Sequence, residues 1–103
     1  MIHLMIDTSK QNEIEVILEI DRKKKIIKKN FSKGSEILLP SIKKILNENN
    51  LKINQVDKIS VKRGPGSYTG IRVGLSVANT LSHFLKIPIN DKTSGEIIEP
   101  IYK

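Results

Sequence analysis

The stretch from residue 62 to 78 reads Lys-Arg-Gly-Pro-Gly-Ser-Tyr-Thr-Gly-Ile-Arg-Val-Gly-Leu-Ser-Val-Ala, and it restricts this chain more than any other. A β-like run at 58–63 enters it and a helical pattern at 69–86 leaves it. Between them Gly64 and Gly66 flank Pro65, after Arg63 and before Ser67, Tyr68 and Thr69. Glycine allows positive φ and close backbone approach, and Pro65 stiffens the turn. Ser67 or Thr69 is placed to cap the helix by accepting from its first free N–H groups. The result is a strand–loop–helix corner with the positive end of a helix facing out of the loop. Such a corner is able to hold an anion. Its glycines serve equally well for close packing alone. The lysine of a Walker loop is missing, and Pro65 breaks the Gly-x-Gly-x-x-Gly spacing.

The helix that follows is apolar over too wide an arc for one sheet. At about 100° per residue, Ile71, Val73, Leu75, Val77, Ala78, Leu81, Phe84 and Leu85 sweep roughly 200°, whereas a single packing face needs little over 100°. Part of it is therefore expected to bury against a second helix or another chain. Gly70, Gly74 and Ala78 recur at i, i+4 and i+8 along one edge, with Leu85 beside them and Ile71 and Leu75 beyond. Small residues suit close helix–helix approach. That edge is expected to form a partner surface, completed by Leu38 and Ile42 of the preceding helix. Val73, Val77 and Phe84 fall toward the other edge. The wheel does not decide which edge meets the sheet.

Composition narrows the setting. A chain of 103 residues is expected to be one domain with a modest core. With no cysteine, disulfides and thiolate metal sites are excluded. There is no apolar run of membrane-span length and no signal-peptide pattern, which gives a cytoplasmic expectation with no membrane partner. The net charge of +7 favours contact with RNA or an acidic surface. A lysine-rich, well-solvated surface accounts for it equally. Two Tyr and two Phe are a poor supply for base stacking.

Elsewhere the pattern is strand-rich. Residues 1–6 are apolar on both faces, which suits a central strand covered on both sides. Asp7, Thr8 and Ser9 follow as a turn whose side chains bond their own backbone. Residues 13–20 alternate cleanly between apolar and acidic, a strand with one wet face. After a charged turn at 21–24, residues 25–31 form a third strand whose lysines protect a sheet edge or form an RNA patch. A helix is expected within 32–50, its stripe being Leu38, Leu39, Ile42, Ile45 and Leu46. Ser35 is its candidate cap and Glu36 its first-turn acid; Pro40 kinks it or delays its start. After 58–63 and the long helix, Pro88 and Ile89 open a short fifth strand. The expectation is an α/β fold, a five-stranded mixed sheet with two main helices in the order β-β-β-α-β-α-β.

The motif at 63–78 resembles the signature of the bacterial TsaB (YeaZ) family. Residues 6–9 (Ile-Asp-Thr-Ser), 34–40 (Gly-Ser-Glu-Ile-Leu-Leu-Pro) and 87–89 (Ile-Pro-Ile) agree with it in the same order. The resemblance implies a ribonuclease H-like half-domain of the actin-like ATPase superfamily. It implies a non-catalytic subunit that forms a heterodimer with a TsaD-like enzyme and contacts tRNA through that complex, toward threonylcarbamoyladenosine. A homodimer through the same helices is the other possibility. In that superfamily an acidic residue at the place of Asp7 lies near phosphate and metal, making Asp7, Thr8 and Ser9 weak cofactor candidates. No resident cofactor, metal or catalytic residue is expected. Family members carry a second domain. Here 1–90 reads as the first domain and 91–103 as a tail, with the second domain apparently absent. The alternative functions are a degenerate nucleotide-binding domain or a ribonuclease H-like nuclease acting alone. The nuclease needs several carboxylates converging on divalent metal, and Arg63 and Gly64 stand where one is wanted.

Overall fold

The computed structural model describes residues 1–30, 37–92 and 98–100. Its elements are β1 (Ile2–Asp7), β2 (Glu13–Ile20), β3 (Lys23–Asn30), α1 (Leu38–Glu48), β4 (Lys58–Val61) and α2 (Tyr68–Leu85), with a 3₁₀ turn at Ile53–Gln55. The strands form one mixed sheet in the order β3-β2-β1-β4. β1, β2 and β3 make an antiparallel meander, and β4 returns parallel to β1. That parallel return needs a crossover, which α1 supplies.

Register explains which residues fill the core. Leu4 faces Leu18 and Ile59, and Ile6 faces Val16 and Val61, so these side chains share one side of the sheet. They form a single buried cluster with Leu38, Ile42, Ile45 and Leu46 of α1 and Ile71, Leu75 and Ala78 of α2. Both helices therefore cover the same side. The doubly covered strand expected at 1–6 is not found among the described residues: His3, Met5 and Asp7 lie on the other side, half-buried. His3 there meets the Ser60 hydroxyl at 2.6 Å and the Glu19 carboxylate at 3.7 Å.

Two further expectations are corrected. The sheet has four strands, not five. Ile89 makes isolated bridges, parallel to Ile59 and antiparallel to Lys92. Pro88 has no N–H to give, and Asn90 and Asp91 turn the chain away at φ 47° and 64°. In place of further backbone, the Asn90 side chain finishes the pairing. Its Oδ1 accepts from Val61 N at 2.8 Å and its Nδ2 donates to Val61 O at 3.0 Å. Leu39, placed on the buried stripe of the first helix, is 47% exposed. α1 begins only at Leu38, which puts Pro40 in the first turn, where a missing N–H costs nothing. The cap and first-turn roles expected of Ser35 and Glu36 lie outside the described residues.

Candidate protein-docking face

The corner at the start of α2 is built on the end of β1. Asp7 Oδ1 accepts from Ser9 N at 2.9 Å and from Ser9 Oγ at 2.6 Å, closing a turn on itself. Ser9 O then accepts from Ser67 N at 2.7 Å, and Thr8 Oγ1 donates to Gly70 O at 2.5 Å. Gly64, at φ 117°, turns the loop that Pro65 continues into Gly66. Ser67 caps the helix, its Oγ accepting from Gly70 N at 3.3 Å. A methyl group at Gly70 would overlap the Thr8 carbonyl oxygen, and one at Gly74 would overlap Thr8 Oγ1. The glycines thus let the helix lie directly on the strand end. Thr8 and Ser9 are buried beneath it, at 1% and 6% exposure, and their polar atoms are engaged in holding it.

This corrects the partner surface expected from the sequence. Leu38, Ile42, Ile71, Gly74, Leu75 and Ala78 are buried within the chain itself, and Gly70 is half-buried over Thr8. Of that set Leu85 is half-buried. The small edge of α2 faces the sheet because close approach to β1 and β4 demands small residues there. A helical wheel cannot tell close helix–sheet approach from close helix–helix approach.

The outer flank is left over. Val73, Val77 and Leu81 are half-buried, and Tyr68 and Phe84 at its two ends are 58% and 79% exposed. Arg72 lies across Tyr68, its Nη1 donating to the phenol oxygen at 3.0 Å and its guanidinium 5.5 Å from the ring centre. A hollow of about 510 Å³ runs along this flank between Tyr68, Thr69, Arg72, Val73, Ser76 and Val77. A second, apolar hollow of about 430 Å³ opens beside α1, lined chiefly by Leu39, Ile42, Leu46, Leu51, Ile53 and Leu81. Val77, on the first hollow, and Leu81, on the second, are one turn apart on the same face of α2. Leu39, Leu51 and Ile53 were missed as site residues. Leu39 was placed on the α1 stripe, and Leu51 and Ile53 are apolar side chains between α1 and β4.

The region is familiar from other proteins. Residues 27–91, more than half of the chain, match the family model described as TsaD: tRNA N6-adenosine threonylcarbamoyltransferase. The tRNA threonylcarbamoyladenosine biosynthesis protein TsaB of Bacillus subtilis is 39% identical over 72 residues, covering 70% of this chain and 30% of that protein. TsaB of Buchnera aphidicola subsp. Baizongia pistaciae is 35% identical over 85 residues, covering 82% and 38%. Among solved structures, YeaZ from Pseudomonas aeruginosa superposes with a TM-score of 0.81 at 28% identity, over 86% of this chain and 43% of that one. The chain thus spans less than half the length of these relatives. By sequence and by fold it belongs to the TsaB (YeaZ) family.

Proposed function

We propose that this chain is a non-catalytic subunit in the formation of threonylcarbamoyladenosine on tRNA, and that it works by binding a TsaD-like enzyme. The observation that carries the reading is the outer apolar flank of α2, Val73, Val77, Leu81 and Phe84, with one hollow lined by Val73 and Val77 and another between Leu81 and α1. A helix from a partner laid on that flank would bury apolar surface at about 25 cal/mol per Å² before association costs. The similarity to TsaB and to the threonylcarbamoyltransferase family supplies the pathway. The non-catalytic role is supported by Asp7, whose carboxylate is taken up in its own turn by Ser9. The element order supports reading the unit as a ribonuclease H-like half-domain.

The test is calorimetric titration of the chain against the TsaD-like protein of the same organism. Val77→Arg is expected to weaken binding by at least about thirtyfold while circular dichroism shows an unchanged fold. Unchanged affinity overturns the assignment of this flank. If instead the chain pairs with itself and Val77→Arg dissociates that pair with no effect on the enzyme, the flank joins two copies and the heterodimer is wrong.

A further inference from the structure

β3 carries Lys23, Lys24, Lys25, Lys28 and Lys29, and pairing with β2 sorts them onto two faces. On the face away from the helices their neighbours are carboxylates. Lys28 pairs with Glu15 at 3.4 Å, and Lys24 stands opposite Glu19. On the helix side the neighbours are aliphatic: Ile20 opposite Lys23, Leu18 opposite Lys25, and Ile14 opposite Lys29. Those three lysines are exposed, their stems continuing the rim of the core and their ammonium groups in water. Lys44 of α1 meets Lys29 around a hollow of about 170 Å³ that Ile37, Pro40 and Ser41 also line. Among the described residues Lys28 is the one β3 lysine in an ion pair, and Lys23, Lys24, Lys25, Lys29 and Lys44 have no carboxylate within ion-pair distance. Protection of a sheet edge accounts for lysines on β3, but it does not account for setting one row opposite Glu15 and Glu19 and the other opposite aliphatic side chains.

We infer that the helix-side row, Lys23, Lys25 and Lys29 with Lys44, binds the phosphodiester backbone of a nucleic acid. Lys23 and Lys25 stand about 6.7 Å apart along the strand, and Lys29 lies about 13 Å beyond Lys25, with Ile27 at the same-face position between them. A nucleic-acid strand offers a phosphate about every 3.4 Å along its axis, so each ammonium group finds a partner without the chain bending. Lysine acts as a point charge with no fixed fork, which suits phosphate contact and carries no base readout. The net charge of +7 steers a polyanion toward the chain. The row stands on its own geometry; only the choice of tRNA as first probe rests on the proposed function.

The test titrates the full chain, without any enzyme partner, into fluorescently labelled bulk tRNA and a DNA hairpin of similar length at several salt concentrations. Two variants remove the same charge from opposite faces: Lys25→Gln with Lys29→Gln, and Lys24→Gln with Lys28→Gln. The helix-side pair is expected to flatten the salt dependence by about 1.5–2 in log K against log salt and to weaken binding roughly tenfold at 50 mM salt. The outward pair is expected to do less than half of that, and the DNA hairpin to bind as well as tRNA. Equal losses from both pairs, absent binding at low salt, or tight binding with a shallow salt slope overturns the inference. So does poly-glutamate competing as well as tRNA, which would make the row an acidic-protein site. The partner-free format keeps the outcome separate from that of the enzyme titration.

Discussion

The two flanks of α2 differ in side-chain size and have opposite fates. On one, Gly70, Gly74 and Ala78 are small, and the helix closes onto Thr8 and the sheet until an added methyl has no room. On the other, Val73, Val77, Leu81 and Phe84 are larger and have nothing packed against their outer side among the described residues. Apolar character alone therefore did not decide which side was buried. Size sets how closely the helix approaches: the end of β1 comes in where Gly70 and Gly74 leave room, while Ile71 and Leu75 beside them fill the core. The lesson is that a small-residue edge marks where a helix touches backbone, and that the backbone can belong to the helix's own sheet.

The largest expected effect comes from forcing the inner flank open. Ala78 is fully buried, so Ala78→Arg places an unpaired charge in the core. A loss of about 3–5 kcal/mol is expected, enough to abolish a cooperative urea transition followed by circular dichroism. A folded Ala78→Arg variant would erase the distinction between the flanks.

Gly74→Ala tests the same contact more gently. Its methyl collides with Thr8 Oγ1, and overpacking of this kind costs about 1–3 kcal/mol. Thr8→Ala removes the colliding atom, at the expense of its bond to Gly70 O. The double variant is expected to be more stable than the sum of the single losses in denaturant melts. Strict additivity would show that Thr8 is not what Gly74 accommodates.

Val77→Arg on the outer flank is expected to change stability by no more than about 0.5 kcal/mol, whatever it does to partner binding. A loss as large as that of Ala78→Arg would mean that the outer flank is core as well.

The smallest effect lies away from both flanks, on the open side of the sheet. Burial, reinforced by Lys58, holds the His3 imidazole below its ordinary value of 6.5, against the opposing pull of Glu19 and Asp91. The unfolded chain then takes up this proton at higher pH than the folded one. Stability from neutral His3 is full above about pH 6.5 and is lost as pH falls through the lower folded value. Thermal melts between pH 7 and pH 5 are expected to fall slightly more for the wild type than for His3→Gln. The reverse order would mean that Glu19 dominates.

Much of this architecture was legible where the physics is local. The alternation from Glu13 to Ile20 named β2 to the residue, because one wet face and one dry face impose period two. The cap was legible as Ser67 or Thr69, because a capping hydroxyl needs only its own helix, and the structure gives the role to Ser67. What failed was non-local. The apolar residues of β1 implied two covers, yet the helices lie on one side, and no residue of β1 carries that information. The fifth strand shrank to a single bridge to the sheet, Ile89 to Ile59, because a side chain, Asn90, took the place of backbone, and strand patterns read backbone only. Ile98 shows the same device: the Asn79 amide donates to its carbonyl at 3.1 Å and accepts from its N–H at 3.0 Å, holding 98–100 against α2.

The replacement of backbone by the Asn90 side chain also bears on how this edge of the sheet resists pairing with another strand. A sheet ends in two open rows of donors and acceptors, each an invitation to stack into a fibril. Here the two ends are guarded by unlike means. Along β3 the guard is charge repulsion, which salt weakens. Along β4 it is one amide that occupies both Val61 groups and is indifferent to ionic strength. Concentrated salt would thus unguard one end only, and growth from one end of a sheet yields pairs of molecules where growth from both would yield filaments.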